Sequence, residues 1–211
     1  TLYNVRIAEP SLVIQGQKQK ASILYFKTKN ISELQGKISG LALEALEKFA
    51  ERTVVNSVGS FGGAVHAAGR NEITAIFSPM TRQFRHENSA VKAAARIDSE
   101  LKANNRKFKA KLDYGIGINS GEMALNVNNK KILQYTSIGK TIAIARKLAE
   151  KSSNEIIISK DVYNRVISEV KARLAGTVRI GDDEIECYTV EGAIGREAYS
   201  SYVHDALRRI K

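Results

Sequence analysis

The stretch whose residue types and spacing best suit chemistry is Lys131 to Glu150, KILQYTSIGKTIAIARKLAE. It predicts a strand at Ile132–Ser137, a tight turn at Gly139, and a helix with Ile142, Ala145, Leu148 and Ala149 on its buried stripe. A strand that feeds a helix through a glycine turn is a common place to hold a ligand. The same pattern also describes an ordinary β-turn-α unit, and pattern alone favours that plainer description. Other reactive groups are sparse. Cys187 stands alone, so there is no disulfide framework and no cysteine metal centre. His66, His86 and His204 are far apart in sequence, and a transition-metal site is not expected.

The formal charge is +11. A basic balance suits a polyanion such as nucleic acid, nucleotide or acidic lipid. It equally suits solvated helix faces in a Lys- and Asn-rich chain. The dense runs, Lys18–Lys20, Arg106–Lys111 and Arg208–Lys211, are short, which favours solvated faces. Nucleic acid is not an expected partner, because the strand motifs lack an aromatic stacking pair beside the basic residues. With 211 residues the chain suits one large domain, or one domain with extensions. A chain of this length buries roughly 70% of its unfolded surface. No run approaches the ~20 apolar residues of a membrane span, and no signal peptide is visible. A cytoplasmic location without membrane contact is expected. The start at Thr1 rather than Met suggests a piece of a longer protein, whose other domains would be among its partners.

The elements that must position the central stretch follow in order. Residues 1–20 read as a lead-in with one strand at Ser11–Ile14. Ala21–Lys29 is a short apolar run of the central-strand kind. Ser32 and Gln35 form a capping box opening a helix to about Arg52, with Leu34, Ile38, Leu41, Ala45 and Phe49 on its buried face. Gly36 and Gly40 suit a close backbone approach there. Gly62-Gly63 leads into a hairpin with arms Ala64–Ala68 and Glu72–Phe77, ended by Pro79. A helix from about Ser89 to Asn104 buries Val91, Ala94, Ile97 and Leu101. Strict alternation from Phe108 to Asn119 predicts a strand, broken at Ser120-Gly121 and resumed over Glu122–Val127. Glu155–Ser159 is a buried strand. Ser159 caps a helix carrying Val162, Val166, Ile167 and Val170. Thr177–Ile180 and Glu184–Val190 make a hairpin about Gly181-Asp182-Asp183, and a helix from about Ser200 closes the chain. The order gives an α+β domain: a ferredoxin-like βαββαβ core in a mixed sheet with helices on its faces.

Several fragments in this order resemble the class III adenylyl/guanylyl cyclase catalytic domain, also called the cyclase homology domain. Tyr135–Leu148 resembles the family's Y-x-x-I-G-[DN]-x-V-N-x-A-x-R-L segment. Gly115–Glu122, GIGINSGE, is similar to R-I-G-I-H-T-G-E, and Glu155–Ser159, EIIIS, to G-E-I-L-V-S. Gly62-Gly63-Ala64-Val65 leading to Ala75-Ile76-Phe77 looks like the family's glycine-rich hairpin. The resemblance runs from about Ala21 to Val190. It implies the class III nucleotidyl cyclase fold over 21–192, with 1–20 as lead-in and 193–211 as a C-terminal helix.

The resemblance also implies a chemistry: two carboxylates hold two Mg²⁺ or Mn²⁺ ions, which drive a ribose 3′ hydroxyl onto the α-phosphate of ATP or GTP. The positions that should do this are rewritten. Lys27 stands at the first metal aspartate and Asn71 at the second. Ala67 replaces the base-contacting lysine, and Thr136 falls at the base-discriminating position. Ala143 replaces the ribose asparagine. Lys147 stands for the phosphate arginine unless Arg146 is offset to serve, and Asp182 replaces the terminal-phosphate lysine. The family's site forms between two subunits, and this chain keeps neither subunit's set. The expectation is therefore a degenerate member with no bound metal and weak or no nucleotide binding. Its role would be dimerisation or regulation in intracellular signalling, as a homodimer or a cyclase-like heterodimer. One alternative is a metal-independent sensor in which Lys27, Arg70, Lys140 and Lys147 hold a nucleotide or phosphate ligand. Against it stands the plainer expectation that Lys27 pairs with a nearby acid such as Glu72 and that the others are solvated. A residual nucleotidyl cyclase is the remaining alternative.

Overall fold

The computed structural model describes residues 5–11, 16–67 and 71–193. Its strands are β1 (Ile7–Pro10), β2 (Gln17–Thr28), β3 (Ala64–Ala67), β4 (Glu72–Phe77), β5 (Tyr114–Val127), β6 (Ile132–Ser137), β7 (Ile156–Ser159), β8 (Val170–Ile180) and β9 (Asp183–Ala193). Its helices are α1 (Ile31–Gln35), α2 (Gly40–Ser60), α3 (His86–Lys107), α4 (Thr141–Lys151) and α5 (Lys160–Val166). The run β2, α1/α2, β3, β4, α3, β5 is the expected βαββαβ core. All the strands join one mixed sheet in the order β2-β4-β3-β1-β6-β5-β7-β9-β8, and β2 also pairs with β5. The last pairing bends β2, β4, β3, β1, β6 and β5 into a closed ring. Among the described residues no helix is long and apolar enough to cross a membrane.

The two larger apolar clusters pack against the sheet. On one face, Leu24, Phe26, Ile116 and Ile118 meet Val54 and Val58 of α2 and Ala94, Ile97 and Leu101 of α3. Inside the ring, Ile23, Tyr25, Ile76, Leu125 and Leu133 meet Ala145 and Ala149 of α4. Each large side chain taken from water here stabilises the fold by about 1.5–3 kcal/mol. Helix α4 lies very close to β5. A Cβ at Gly115 would stand 1.9 Å from the carbonyl oxygen of Ala149, and one at Gly117 would stand 2.1 Å from that of Ala145. Those two glycines let the helix backbone rest on the strand.

Several local expectations are corrected. The first helix breaks after Gln35 and restarts at Gly40, where the Ser39 hydroxyl accepts from the Ala42 N–H at 3.3 Å. The restart turns the buried face to Leu43, Ala50, Val54 and Val58, leaving Leu41 82% exposed. Gly40 has no close neighbour, so no backbone packs there. Ser32 does not cap α1 either; Asn30 precedes it, and its amide bonds Lys111 O and Asp113 N instead. Residues 108–113 alternate like a strand yet are not one. The Asn105 side chain bonds both the N–H and the carbonyl of Leu112, taking the place of a neighbouring strand. Ser120-Gly121 does not break β5, because β2 pairs along it without interruption from Tyr114 to Leu125. Val170 opens β8 rather than ending α5.

The segment expected only to lead in contributes β1 and the start of β2. Val5 and Ala8 are buried, and this small apolar anchor is too short to show as a pattern. Most of the expected Ser11–Ile14 strand, and the C-terminal helix apart from its first position, lie outside the described residues.

Candidate functional site

The end of β2 places Lys27 between Glu72 of β4 and Gly115 of β5 in the sheet register. Lys27 Nζ lies 2.7 Å from Glu72 Oε1, with both side chains about two-thirds covered. Tyr25 sits two residues earlier, on the same face of the strand. Its hydroxyl donates to Glu72 Oε2 and accepts from Arg146 Nε at 2.9 Å. The Arg146 guanidinium lies 5.1 Å from the centre of the Tyr25 ring, a cation–π distance, and 3.8 Å from Glu72. Glu72 thus meets an ammonium, a phenol and a guanidinium at once. The bonds from Lys27 and then Tyr25 hold its carboxyl below the usual carboxylate range. Burial, with the bond to Glu72, pushes the Tyr25 hydroxyl up to about 12.

Asn71 precedes this cluster. Its carbonyl accepts from the Thr28 N–H at 2.9 Å, while its side-chain oxygen is buried without a hydrogen-bond partner. The Thr28 hydroxyl is likewise buried and unpartnered. Lys29 continues the strand to the far end of α4, where its ammonium donates to the carbonyls of Glu150, at 2.7 Å, and Ser152. A cation suits a helix C-terminus, and burial pulls the Lys29 pKa down.

The remaining predicted residues are spread along α4 and around the ring. Ala143 and Lys147 line an open groove with Gly139, Ile142, Arg146 and Arg179. Lys147 turns to Glu150 at 3.3 Å, so the offset Arg146, and not Lys147, reaches the cluster at β2. Lys140 is not simply solvated: its ammonium donates to Ile180 O at 2.9 Å and Asp183 Oδ2 at 2.8 Å, tying the turn before α4 to the β8–β9 hairpin. Asp182 is exposed at the tip of that hairpin. Thr136 sits apart on β6, and its hydroxyl donates to Ser11 O at 2.6 Å. Ala67 ends β3 opposite Ile73, and Arg70 lies outside the described residues.

The structure therefore gathers Lys27, Asn71 and Arg146, and leaves Lys140, Lys147, Asp182 and Thr136 elsewhere. Tyr25 was missed as part of the site. Its signal was available in the Tyr25/Lys27 spacing, which puts both on one strand face. The rest depended on the β2–β4 register, which sequence alone does not fix.

The mixed sheet with its βαββαβ core defines a nucleotidyl cyclase-type domain. The family model for the adenylate and guanylate cyclase catalytic domain matches residues 25–192, and the chain belongs to that family. Its fold is similar to the adenylyl cyclase CyaB from P. aeruginosa, at 20% identity and TM-score 0.72, covering 83% of this chain and 95% of that one. It is also similar to the dimeric guanylyl cyclase domain of the RhoGC fusion protein from the aquatic fungus Blastocladiella emersonii, at 16% identity and TM-score 0.70, covering 84% and 99%. The guanylate cyclase domain of RhGC from Catenaria anguillulae, in complex with GTP, gives the same identity, TM-score and coverage. No curated protein matches the sequence.

Proposed function

We propose that this domain is a catalytically silent cyclase-homology domain, acting by association and regulation in signalling rather than by making cyclic nucleotides. The observation that carries this reading is the Lys27–Glu72 pair. Lys27 falls at the first metal position, where its ammonium occupies the ground a divalent cation would need. Glu72 is the nearest carboxylate, and Lys27, Tyr25 and Arg146 already engage it. Asn71, at the second metal position, offers a neutral amide. Mg²⁺ prefers several hard, anionic oxygens in a strict octahedron. An ammonium and an amide do not supply them, so the residues present do not fit the metal pair that the family implies. Among the described residues no cluster of three His, Cys, Asp or Glu side chains makes up the difference.

The contacts beyond the metals point the same way. Ala143 has no polar group for a ribose, Lys147 is paired with Glu150, and Asp182 would repel a terminal phosphate. Each positioning or charge-stabilising contact of this kind is worth orders of magnitude in rate. The internal pairing of Lys27 and Lys140 also counts against a phosphate sensor, because both ammonium groups already have partners. The test is cyclic AMP and cyclic GMP production from ATP and GTP with Mn²⁺, alongside melting temperature with and without each nucleotide. No product and no shift are expected. Turnover at rates ordinary for cyclases overturns the silent reading, and a nucleotide-dependent rise in melting temperature without Mn²⁺ favours the sensor.

A further inference from the structure

Strand β1 closes the ring, and it closes it lightly. It lies parallel to both neighbours, with Ile7 opposite Val65 of β3 and Ile7 to Pro10 opposite Ile132 to Tyr135 of β6. The outer sides of β3 and β6 are already paired with β4 and β5. Without β1 the inner edges of β3 and β6 would face each other across a slot one strand wide, each with unpaired N–H and C=O groups. Open edges of this kind accept an extended segment.

We propose that this slot is a strand-exchange site: the chain's own Ile7–Pro10 fills it within one copy, and the same strand of a second copy fills it in a dimer. Main-chain bonds hold the occupant. The Val65 N–H donates to Arg6 O at 2.8 Å, the Ser11 N–H donates to Tyr135 O at 2.8 Å, and the Thr136 hydroxyl donates to Ser11 O at 2.6 Å. Specificity comes from Val5 and Ala8, 4% and 1% exposed, which belong to the apolar cluster that includes Ile23, Tyr25 and Leu133. A second copy of this chain brings the same register and the same two side chains, so it satisfies every contact that the slot makes now.

The strand is also built to leave. It is 4 residues long, against 12 in β2. Ile7 is 56% exposed, and Pro10 has no N–H to give. By contrast, β2 buries Ala21 through Phe26 without interruption. The connection, residues 11–16, ends at Gly16, where an added Cβ would stand 2.7 Å from the Leu125 carbonyl oxygen. That tight crossing fixes the end of the connection against β5. Strand β1 is separated from the long β2 ladder at that point and can exchange without disturbing it. Exchange of an identical element between copies is a low-cost route to a dimer.

This deepens the association half of the proposed function and rests on it. It also explains why Thr136 is engaged: Ser11 O holds the hydroxyl in the filled slot, whichever copy supplies the strand. Three measurements test it. In the unmodified protein, hydrogen exchange at the Val65 and Ser11 amides should run faster than at the β2–β5 ladder, through separate opening of β1. Exchange at the ladder's rate overturns the proposal, since the strand then leaves only when the whole domain unfolds. In Ala8→Asp, which puts a carboxylate into the apolar ring, a fluorescent peptide of residues 5–11 (VRIAEPS) should bind, while the unmodified protein, its slot filled, should bind it at least tenfold more weakly. A folded Ala8→Asp variant that ignores the peptide overturns the proposal. By sedimentation at high micromolar concentration the unmodified protein should dimerise and Ala8→Asp should not. A strictly monomeric parent, or a variant that dimerises equally well, overturns it. Cyclic nucleotide production would overturn the silent-cyclase reading alone and leave these three results standing.

Discussion

Helix α4 meets the sheet in two places that follow different rules. Along β5 the contact is backbone against backbone, with Gly115 and Gly117 under the carbonyls of Ala149 and Ala145. At β2 the contact is made by long side chains: Arg146 over Tyr25, both joined to Glu72 and through it to Lys27. The first contact has no slack, because a single methyl group would overlap a carbonyl oxygen. The second is made of flexible, partly hydrated groups that can be exchanged for others without moving the backbone. A chain can therefore keep the seam, and with it the fold, while the polar end changes its chemistry. The family model's match over 25–192 fits a kept seam, and on the proposed reading the change at the polar end falls on Lys27 and Asn71.

The sharpest way to break this contrast is Gly117→Ala. The new Cβ would meet Ala145 O at 2.1 Å and the Ala149 N at 2.4 Å, both backbone atoms that cannot rotate away. Either α4 lifts from β5 or the strand shifts, at a cost of about 3 kcal/mol, the upper end of over-packing. Chemical denaturation should show the midpoint fall accordingly. A loss well under 1 kcal/mol would mean the seam is looser than the β5–α4 geometry implies.

A smaller effect is expected at the polar end. Glu72→Gln removes the charge that Lys27 and Arg146 share, but both cations are exposed enough to regain water. The loss at neutral pH should be about 1 kcal/mol, as for a partly exposed pair. Its pH dependence follows from the lowered pKa of Glu72. Its contribution is full above the unfolded carboxyl pKa of about 4.3 and is lost as the pH falls through the lower folded value. Parent and variant should therefore differ by a constant amount at pH 6–8 and converge in acid. A difference that grows in acid would show that Glu72 is not the charged partner in this cluster.

The same contrast governs what the sequence made legible. Strand β6, the Gly139 turn and helix α4 were readable because apolar spacing and a glycine in a left-handed turn, φ +63°, both mark them locally. The seam was half-readable: Gly115-Ile116-Gly117 stood out as a motif, but not the helix it accommodates. Lys27 and Asn71 were singled out through the family likeness alone. The Tyr25–Arg146 link could not be placed, since it joins β2 to a helix more than a hundred residues away and depends on the three-dimensional register. Strand β1 was missed for a related reason, because its partners β3 and β6 are both distant in sequence. Phe108 to Asp113 misled in the opposite way: side-chain bonds from Asn105 hold an alternating stretch in a loop.

The smallest expected effect is also the most demanding test of the polar end. Lys27→Asp combined with Asn71→Asp restores the two carboxylates that the family's metal positions carry, and it should still yield no cyclic AMP or cyclic GMP with Mn²⁺. The new carboxylate at position 27 would sit opposite Glu72 in the β2–β4 register, giving three acids in a small region. That arrangement favours a divalent cation, and metal-dependent stabilisation in a melting experiment is the expected gain. Turnover needs more than the metal. On the proposed reading, Ala143 cannot orient a ribose, Asp182 brings the wrong charge for a terminal phosphate, and Lys147 offers a point charge where a guanidinium would give paired bonds. Orientation and charge stabilisation contribute several kcal/mol each to a barrier. A metal pair alone does not offset their combined loss. Product from the double variant but not from the parent would show that the metal positions are the only broken part, and that the groove along α4 can still position a nucleotide.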